Sequence, residues 1–201
     1  MKVLGVTGGV GSGKSTVLNY ITRTCQARGI QADLVAHRLM EPGESCYKRI
    51  VEYFGRDILN DDDTINRTKL GAVVFTDREK LMRLNSLVHP AVKEYIVAEI
   101  AKERTAGKIP LMVIEAALFL EEHYEAFCDK VWYIYTEKDI RCKRLISARG
   151  YSKEKVGQIM KNQLPDEEFR KHCHFIVDNS SDIVENTYRQ IDKGLVEHGL
   201  L

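Results

Sequence analysis

The run Gly8-Gly9-Val10-Gly11-Ser12-Gly13-Lys14-Ser15 most constrains what this chain can fold into, because it matches the pattern G-x-x-x-x-G-K-[ST]. Glycines let the backbone curl until several N–H groups point inward at one anion. A helix opening at Lys14 adds the positive end of its dipole. Lys14 can then reach β and γ phosphates as a point charge, the Ser15 hydroxyl can ligate magnesium, and Thr16 can donate to an α phosphate. From average residue frequencies, a chance match in a chain of this length is on the order of 1 in 100. Context sharpens the signal. Lys2 to Thr7 reads as a buried strand, and Lys14 to about Arg23 reads as a helix with Val17, Leu18 and Ile21 on one face. A dinucleotide fingerprint fails on spacing, since Gly9-x-Gly11 and Gly11-x-Gly13 lack the third glycine.

Further apolar runs lie at Leu111 to Ala117, Val131 to Tyr135 and Phe175 to Val177, and a short second strand is expected to end near Asp33. Such runs suit parallel strands covered on both faces. Between them, Val92, Tyr95, Ile96 and Ile100 share one helical face, and Val156, Ile159 and Met160 another. Ile183, Val184, Thr187, Tyr188, Ile191 and Leu195 form a third stripe. Alternating strands and helices predict a three-layer α/β fold of the P-loop NTPase kind with a parallel sheet. The predicted core is 1–33 plus 111–201, with a helical insertion over about 34–110 and a lid over about 141–151. Asn60-Asp61-Asp62-Asp63 reads as a solvated turn, because the glycine and terminal glutamate of an EF-hand loop are missing.

The charge balance narrows the partners. Thirty basic and 29 acidic side chains give a net charge of +1, which supports neither broad nucleic-acid binding nor attraction to an anionic membrane. The longest apolar run falls short of the ~20 residues that span a bilayer, and the N-terminal run Val3 to Val6 is too short for a signal segment. A cytoplasmic protein is expected. Cys25, Cys46, Cys128, Cys142 and Cys173 are odd in number and form no CxxC, as expected of reduced thiols. His172-Cys173-His174 is not a zinc site, since adjacent residues rarely converge on one tetrahedral ion. Nothing in the sequence indicates an oligomeric state.

Three features favour a small-molecule kinase. The chain is short. Asp33 lies at the expected end of the second strand, where an acceptor hydroxyl would arrive, or else caps the following helix. Arg141, Lys143, Arg144 and Arg149 follow the fourth strand. They form either a basic lid that excludes water from the phosphates or a solvated helix face. A guanine-specific switch commonly carries Asn-Lys-x-Asp, and no such tetrad occurs.

Along nearly its whole length the sequence resembles the dephospho-CoA kinase family. The matching segments are Leu4 to Thr16, Ala32 to His37, Glu41-Pro42-Gly43, Phe54-Gly55, Ile65-Asn66-Arg67, Leu84-Asn85 and His89-Pro90. Leu118 to Glu121, Arg144, Arg149-Gly150, Gln163 and Asp178-Asn179 continue in the family's order. The resemblance implies transfer of the γ-phosphoryl group of ATP, with Mg2+, to the ribose 3′-hydroxyl of dephospho-CoA, giving coenzyme A. It implies that Asp33 orients or deprotonates the hydroxyl, that Lys14 and Arg144 stabilise transition-state charge, and that Arg149 assists from the lid. Gly8 to Thr16 with Arg144 and Arg149 would hold ATP. Thr7, Asp33, Arg67, His89 and Glu115 would contact the acceptor, with the insertion holding the CoA moiety. His89 has an equal reading as a helix-start residue before Pro90. Another small acceptor, a nucleoside or nucleotide, is the alternative within the same class, and a nucleotide-dependent regulatory switch is the alternative outside it.

Some positions depart from the family pattern. The usual Asp-x-Asp pair is here Gln31-Ala32-Asp33, and Asp-x-Pro-Leu-Leu-Phe-Glu appears as Glu115-Ala116-Ala117-Leu118-Phe119-Leu120-Glu121. Glu115 keeps a carboxylate that can hold magnesium through water, and His174 stands where an aspartate is common.

Overall fold

In a computed structural model describing residues 1–201, the glycine-rich run is carried by the central strand of a parallel sheet. The strands are β1 (Lys2–Thr7), β2 (Ala27–Gln31), β3 (Leu111–Glu115), β4 (Lys130–Tyr135) and β5 (Phe175–Asp178), in the spatial order β2-β3-β1-β4-β5. The helices are α1 (Lys14–Thr24), α2 (Ala32–Leu39), α3 (Tyr47–Phe54), α4 (Arg67–Val74), α5 (Arg78–Ala106), α6 (Lys138–Arg149), α7 (Lys153–Lys161), α8 (Asp166–His172) and α9 (Val184–Glu197). Chain direction across the sheet reverses around β1, where the connection to β2 leaves one way and those to β4 and β5 the other. In open α/β sheets such a switch point opens a crevice at the carboxyl ends of the strands.

The chain folds as two units, Met1–Gln31 with Ile100–Leu201, and Ala32–Glu99. In the first unit, strand alternation sends Leu4, Val6, Leu111, Val113, Trp132, Ile134 and Val177 into one core. Val17, Leu18 and Ile21 of α1 and Ile191 and Leu195 of α9 cover it. Each fully buried aliphatic side chain there contributes about 1.5–3 kcal/mol. Tyr20 of α1 stacks on Tyr188 of α9 with ring centroids 3.9 Å apart. On the opposite face Gly5 makes room for Phe119, whose ring tip lies 2.2 Å from where a Cβ at position 5 would sit. Tyr133 stacks on Phe169 of α8 at 4.8 Å and donates to Asp166 at 2.8 Å. Helices thus cover both faces, the three-layer α/β arrangement.

The second unit holds α2, α3, α4 and most of α5. Ile50, Ile58, Leu70, Leu87, Val92 and Ile96 are buried. Asn60 to Asp63 forms a tight turn closed by a bridge between Leu59 and Ile65, with Asp63 at φ 61°. Asp62 accepts from the Thr64 amide at 3.1 Å and hydroxyl at 2.5 Å, and Asp63 pairs with Arg56.

Four local expectations change. β2 stops at Gln31, so Asp33 sits in the first turn of α2, where a carboxylate complements the helix dipole, and neither in a strand nor ahead of the helix. β3 stops at Glu115 rather than Ala117. Ile183 is 60% exposed because it precedes α9 instead of joining its apolar stripe. His89 and Pro90 lie inside the 29-residue α5, so His89 is no helix start. No helix is long and apolar enough to cross a membrane. All five cysteines are free, and burial raises the Cys128 and Cys173 thiols to about 12. His172 is occupied by Glu168, and the ring of His174 accepts from the Val131 amide at 3.1 Å.

Candidate active site

The loop between β1 and α1 is shaped by glycines that cannot be anything else. Gly8, Gly11 and Gly13 have φ of 147°, 83° and 89°. A Cβ at Gly8 would lie 2.4 Å from the Ile134 carbonyl oxygen, and one at Gly13 would lie 2.1 Å from Asn179 Nδ2. At Gly9 it would lie 2.1 Å from the Arg141 guanidinium. Gly13 is the left-handed N-cap of α1, and no acidic residue occupies the first turn. The amides of Gly11, Gly13 and Ser15 donate to no protein acceptor. The Ser12 hydroxyl is buried without a partner. Unpaired donors around a helix N-terminus, in a cradle a Cβ would fill, fit a polyphosphate.

The surrounding elements clamp this loop. Asn179, just after β5, donates to the Ser12 carbonyl at 2.8 Å and accepts from Thr187 of α9 at 2.8 Å. Thr136 donates to the same Ser12 carbonyl at 2.9 Å. Gln163, between α7 and α8, accepts from the Val10 amide at 3.2 Å. Arg141 of α6, only 9% exposed, donates through Nε to the Val10 carbonyl at 3.0 Å and through its other arm to Gln163 at 2.5 Å. Two expectations are corrected here. The Val10 amide is already spoken for, so Val10 braces the loop rather than adding a phosphate donor. Arg141 belongs to that brace and does not face outward on a lid.

Lys14 is likewise 9% exposed, with Nζ donating to the Gly8 carbonyl at 2.9 Å and standing 3.8 Å from Glu115 Oε1. Glu115 ends β3, in register with Val6 of β1 on one side and Gln31 of β2 on the other. Gln31 donates to its second oxygen, Oε2, at 3.1 Å. Ser15 and Thr16 are exposed at the start of α1. Thr7, at the end of β1, is fully buried, and its hydroxyl has no partner. Arg144 donates to the Asn179 carbonyl at 3.0 Å, and one of its nitrogens lies 3.8 Å from the Cβ position of Gly13. Its charge therefore borders the cradle. Arg149 is exposed at the last turn of α6, a helix closed by Gly150 at φ 62°. The structure brings Thr7, Lys14, Ser15, Glu115 and Arg144 to one region, while Arg149 is exposed further along α6.

In the second unit Asp33 is exposed, and Arg67, the first residue of α4, donates to His37 Nδ1 at 3.0 Å. Burial, and then the Arg67 charge, hold the His37 pKa below its ordinary value, against a raising pull from Asp33. His37 and Arg67 line a cleft of about 390 Å3 with Met40, Glu41, Pro42, Thr64 and Ile65. His89 is half-buried in α5, outside that lining. Sequence reasoning misses the parts played by Gln31, His37, Arg141, Gln163 and Asn179. Gln163 and Asn179 stand among the matching segments without an assigned role, and only the fold shows which atoms they hold.

This cradle separates a P-loop protein from other α/β folds, and comparison with known proteins separates it from other P-loop proteins. The family model described as dephospho-CoA kinase matches residues 2–185. The chain belongs to the dephospho-CoA kinase family. A member of the family from Lactobacillus johnsonii is 40% identical over 180 residues, covering 90% of each chain. Another, from Carboxydothermus hydrogenoformans, is 37% identical over 194 residues, covering 95% of this chain and 91% of its own. The solved dephospho-CoA kinase from Campylobacter jejuni superposes with a TM-score of 0.72 at 26% identity, covering 98% of this chain and 97% of its own.

Proposed function

We infer that this chain transfers the γ-phosphoryl group of ATP to the ribose 3′-hydroxyl of dephospho-CoA, giving coenzyme A. The observation that carries this reading is family membership across residues 2–185 together with an intact phosphate cradle at Gly8 to Ser15. Phosphoryl transfer demands positioning and charge stabilisation more than covalent participation. The inward amides of the loop and the α1 N-terminus bind the phosphates. Lys14 and Arg144 face the charge that spreads over the transferring group. Magnesium would be held by the Ser15 hydroxyl and, through water, by Glu115, and when bound it neutralises charge on the β and γ oxygens. Asp33 orients or deprotonates the acceptor hydroxyl, a role supported by its place two residues beyond the carboxyl end of β2. The Ala32–Glu99 unit receives the CoA moiety, with Arg67 and His89 as contacts. The basic charge of Arg67 in its cleft suits a phosphate-bearing acceptor. Arg149 assists from the segment 141–151, although Arg141 itself is fixed.

The test is ADP release with ATP and magnesium, with and without dephospho-CoA, beside a panel of nucleosides and nucleotides. Stimulation by dephospho-CoA alone, with coenzyme A identified by mass spectrometry, is the expected result. Stimulation by a different acceptor would discard the substrate and keep the kinase.

A further inference from the structure

We propose that Gln31 is a positioning residue for phosphoryl transfer, acting by aiming the Glu115 carboxylate at the Lys14 end of the cradle, an inference that rests on the kinase reading above. Parallel pairing places Gln31 and Glu115 directly opposite each other at the carboxyl ends of β2 and β3. Facing residues at such a pair have side chains on the same side of the sheet. Gln31 Nε2 donates to Glu115 Oε2 at 3.1 Å and reaches Ser15 Oγ at 3.5 Å. The amide must face this way, because an ionised carboxylate only accepts and cannot satisfy the Gln31 carbonyl. The other carboxylate oxygen faces Lys14 Nζ at 3.8 Å. The two oxygens are thus divided between two donors.

That division matters because the pair is out of solvent, with the Lys14 and Glu115 side chains 10% and 9% exposed. A buried ion pair is favourable only when further hydrogen bonds satisfy its remaining lone pairs. At 3.8 Å, Lys14 neutralises Glu115 without fixing its rotamer. Gln31 supplies the fixing bond, and it does so without charge. A glutamate at position 31, of the same length, would stand against Glu115 as a like charge. The neutral amide keeps the Lys14–Glu115 pair balanced and links it to Ser15. The glutamine that departs from the family pattern is, in this chain, a working part of the site.

The experiment compares kinase activity of the natural protein with Gln31→Met, which keeps the length and loses the donor, and with Gln31→Asn, which is too short to reach. Glu115→Gln and the double variant Gln31→Met/Glu115→Gln complete a cycle. Gln31→Met and Gln31→Asn are expected to lower kcat about tenfold with KM for dephospho-CoA changed by less than about twofold. The double variant is expected to lose no more kcat than Glu115→Gln alone, because a residue acting through Glu115 has nothing left to act on. Independently of turnover, the 13C shift of the Glu115 side-chain carboxylate in nucleotide-free protein should move in Gln31→Met. Losses that add in the double variant, or a carboxylate shift unmoved by Gln31→Met, overturn the proposal. If the natural protein forms no coenzyme A, the kinase reading fails instead, and the carboxylate shift still decides the contact.

Discussion

The Arg141 guanidinium on α6 donates through Nε to the Val10 carbonyl 3.0 Å away, so the helix after β4 is tied to the middle of the phosphate loop. Gln163 closes the tie by accepting from both Arg141 and the Val10 amide. Hydrogen bonds to a charged group are worth about 1.5–3 kcal/mol, so releasing the loop raises the cost of ordering it around phosphate. Gln163→Leu and Arg141→Met are each expected to raise KM for ATP about tenfold with a smaller change in kcat. Unchanged KM for ATP in both variants would show that the loop holds its shape without the tie.

Gly13 and Gly107 test backbone shape against backbone freedom. Both have positive φ, 89° and 61°, but a Cβ at Gly13 meets Asn179 Nδ2 at 2.1 Å while one at Gly107 meets nothing within 4 Å. Gly107→Ala should cost about 1–2 kcal/mol of stability from the left-handed conformation alone, with ADP affinity unchanged. Gly13→Ala should abolish ADP binding measurable by titration calorimetry. Equal ADP affinities in the two variants would remove the argument that the cradle needs glycine at position 13.

Asp33→Asn keeps shape and loses the carboxylate. General-base catalysis contributes about 10²–10⁴-fold, so coenzyme A formation is expected to fall into that range. ADP binding, read by calorimetry, should stay near that of the natural protein. Near-normal turnover would defeat the base assignment and leave Asp33 as a residue favouring the start of α2.

His37 provides a pH test with a definite sign. Burial and Arg67 lower its pKa in the folded protein, and Arg67 donates to the ring nitrogen that a proton would occupy. The unfolded chain therefore takes up the proton first. This group's contribution to stability is intact above the unfolded value of about 6.5 and is lost as pH falls from there to the folded value. Arg67→Ala should move the His37 titration upward, followed by the NMR signal of its ring Cε1 proton. A downward or absent movement would show that Arg67 does not hold the ring neutral.

Phe119 and Gly5 offer a packing test remote from the chemistry. Gly5→Ala forces a Cβ to 2.2 Å from the buried Phe119 ring and should cost about 1–3 kcal/mol by overpacking. Phe119→Leu in the same chain should restore part of that loss, seen as a partial recovery of the melting temperature. A double variant no more stable than Gly5→Ala would place the strain elsewhere.

The phosphate loop, the strand feeding it and the helix leaving it are legible in the amino-acid sequence, because each depends on residues within a few positions of one another. The continuous apolar runs of β3 and β4 are legible for the same reason, as strands buried on both faces carry no alternation to misread. Local signals also place Lys14 and Ser15 at the start of α1. They fail at element ends: Asp33 looks like strand until the dipole of α2 claims it, and His89-Pro90 looks like a helix start although α5 runs through it. What holds the loop is set by the folded arrangement and by nothing local. Arg141, Gln163 and Asn179 stand 131, 153 and 167 positions from the loop atoms they bind. Likewise, Gln31 and Glu115 meet across 84 positions only because β2 pairs with β3 in one register. A hydrogen bond needs two atoms within about 3 Å in the right orientation, and no spacing along the chain encodes which distant strand or helix supplies the second.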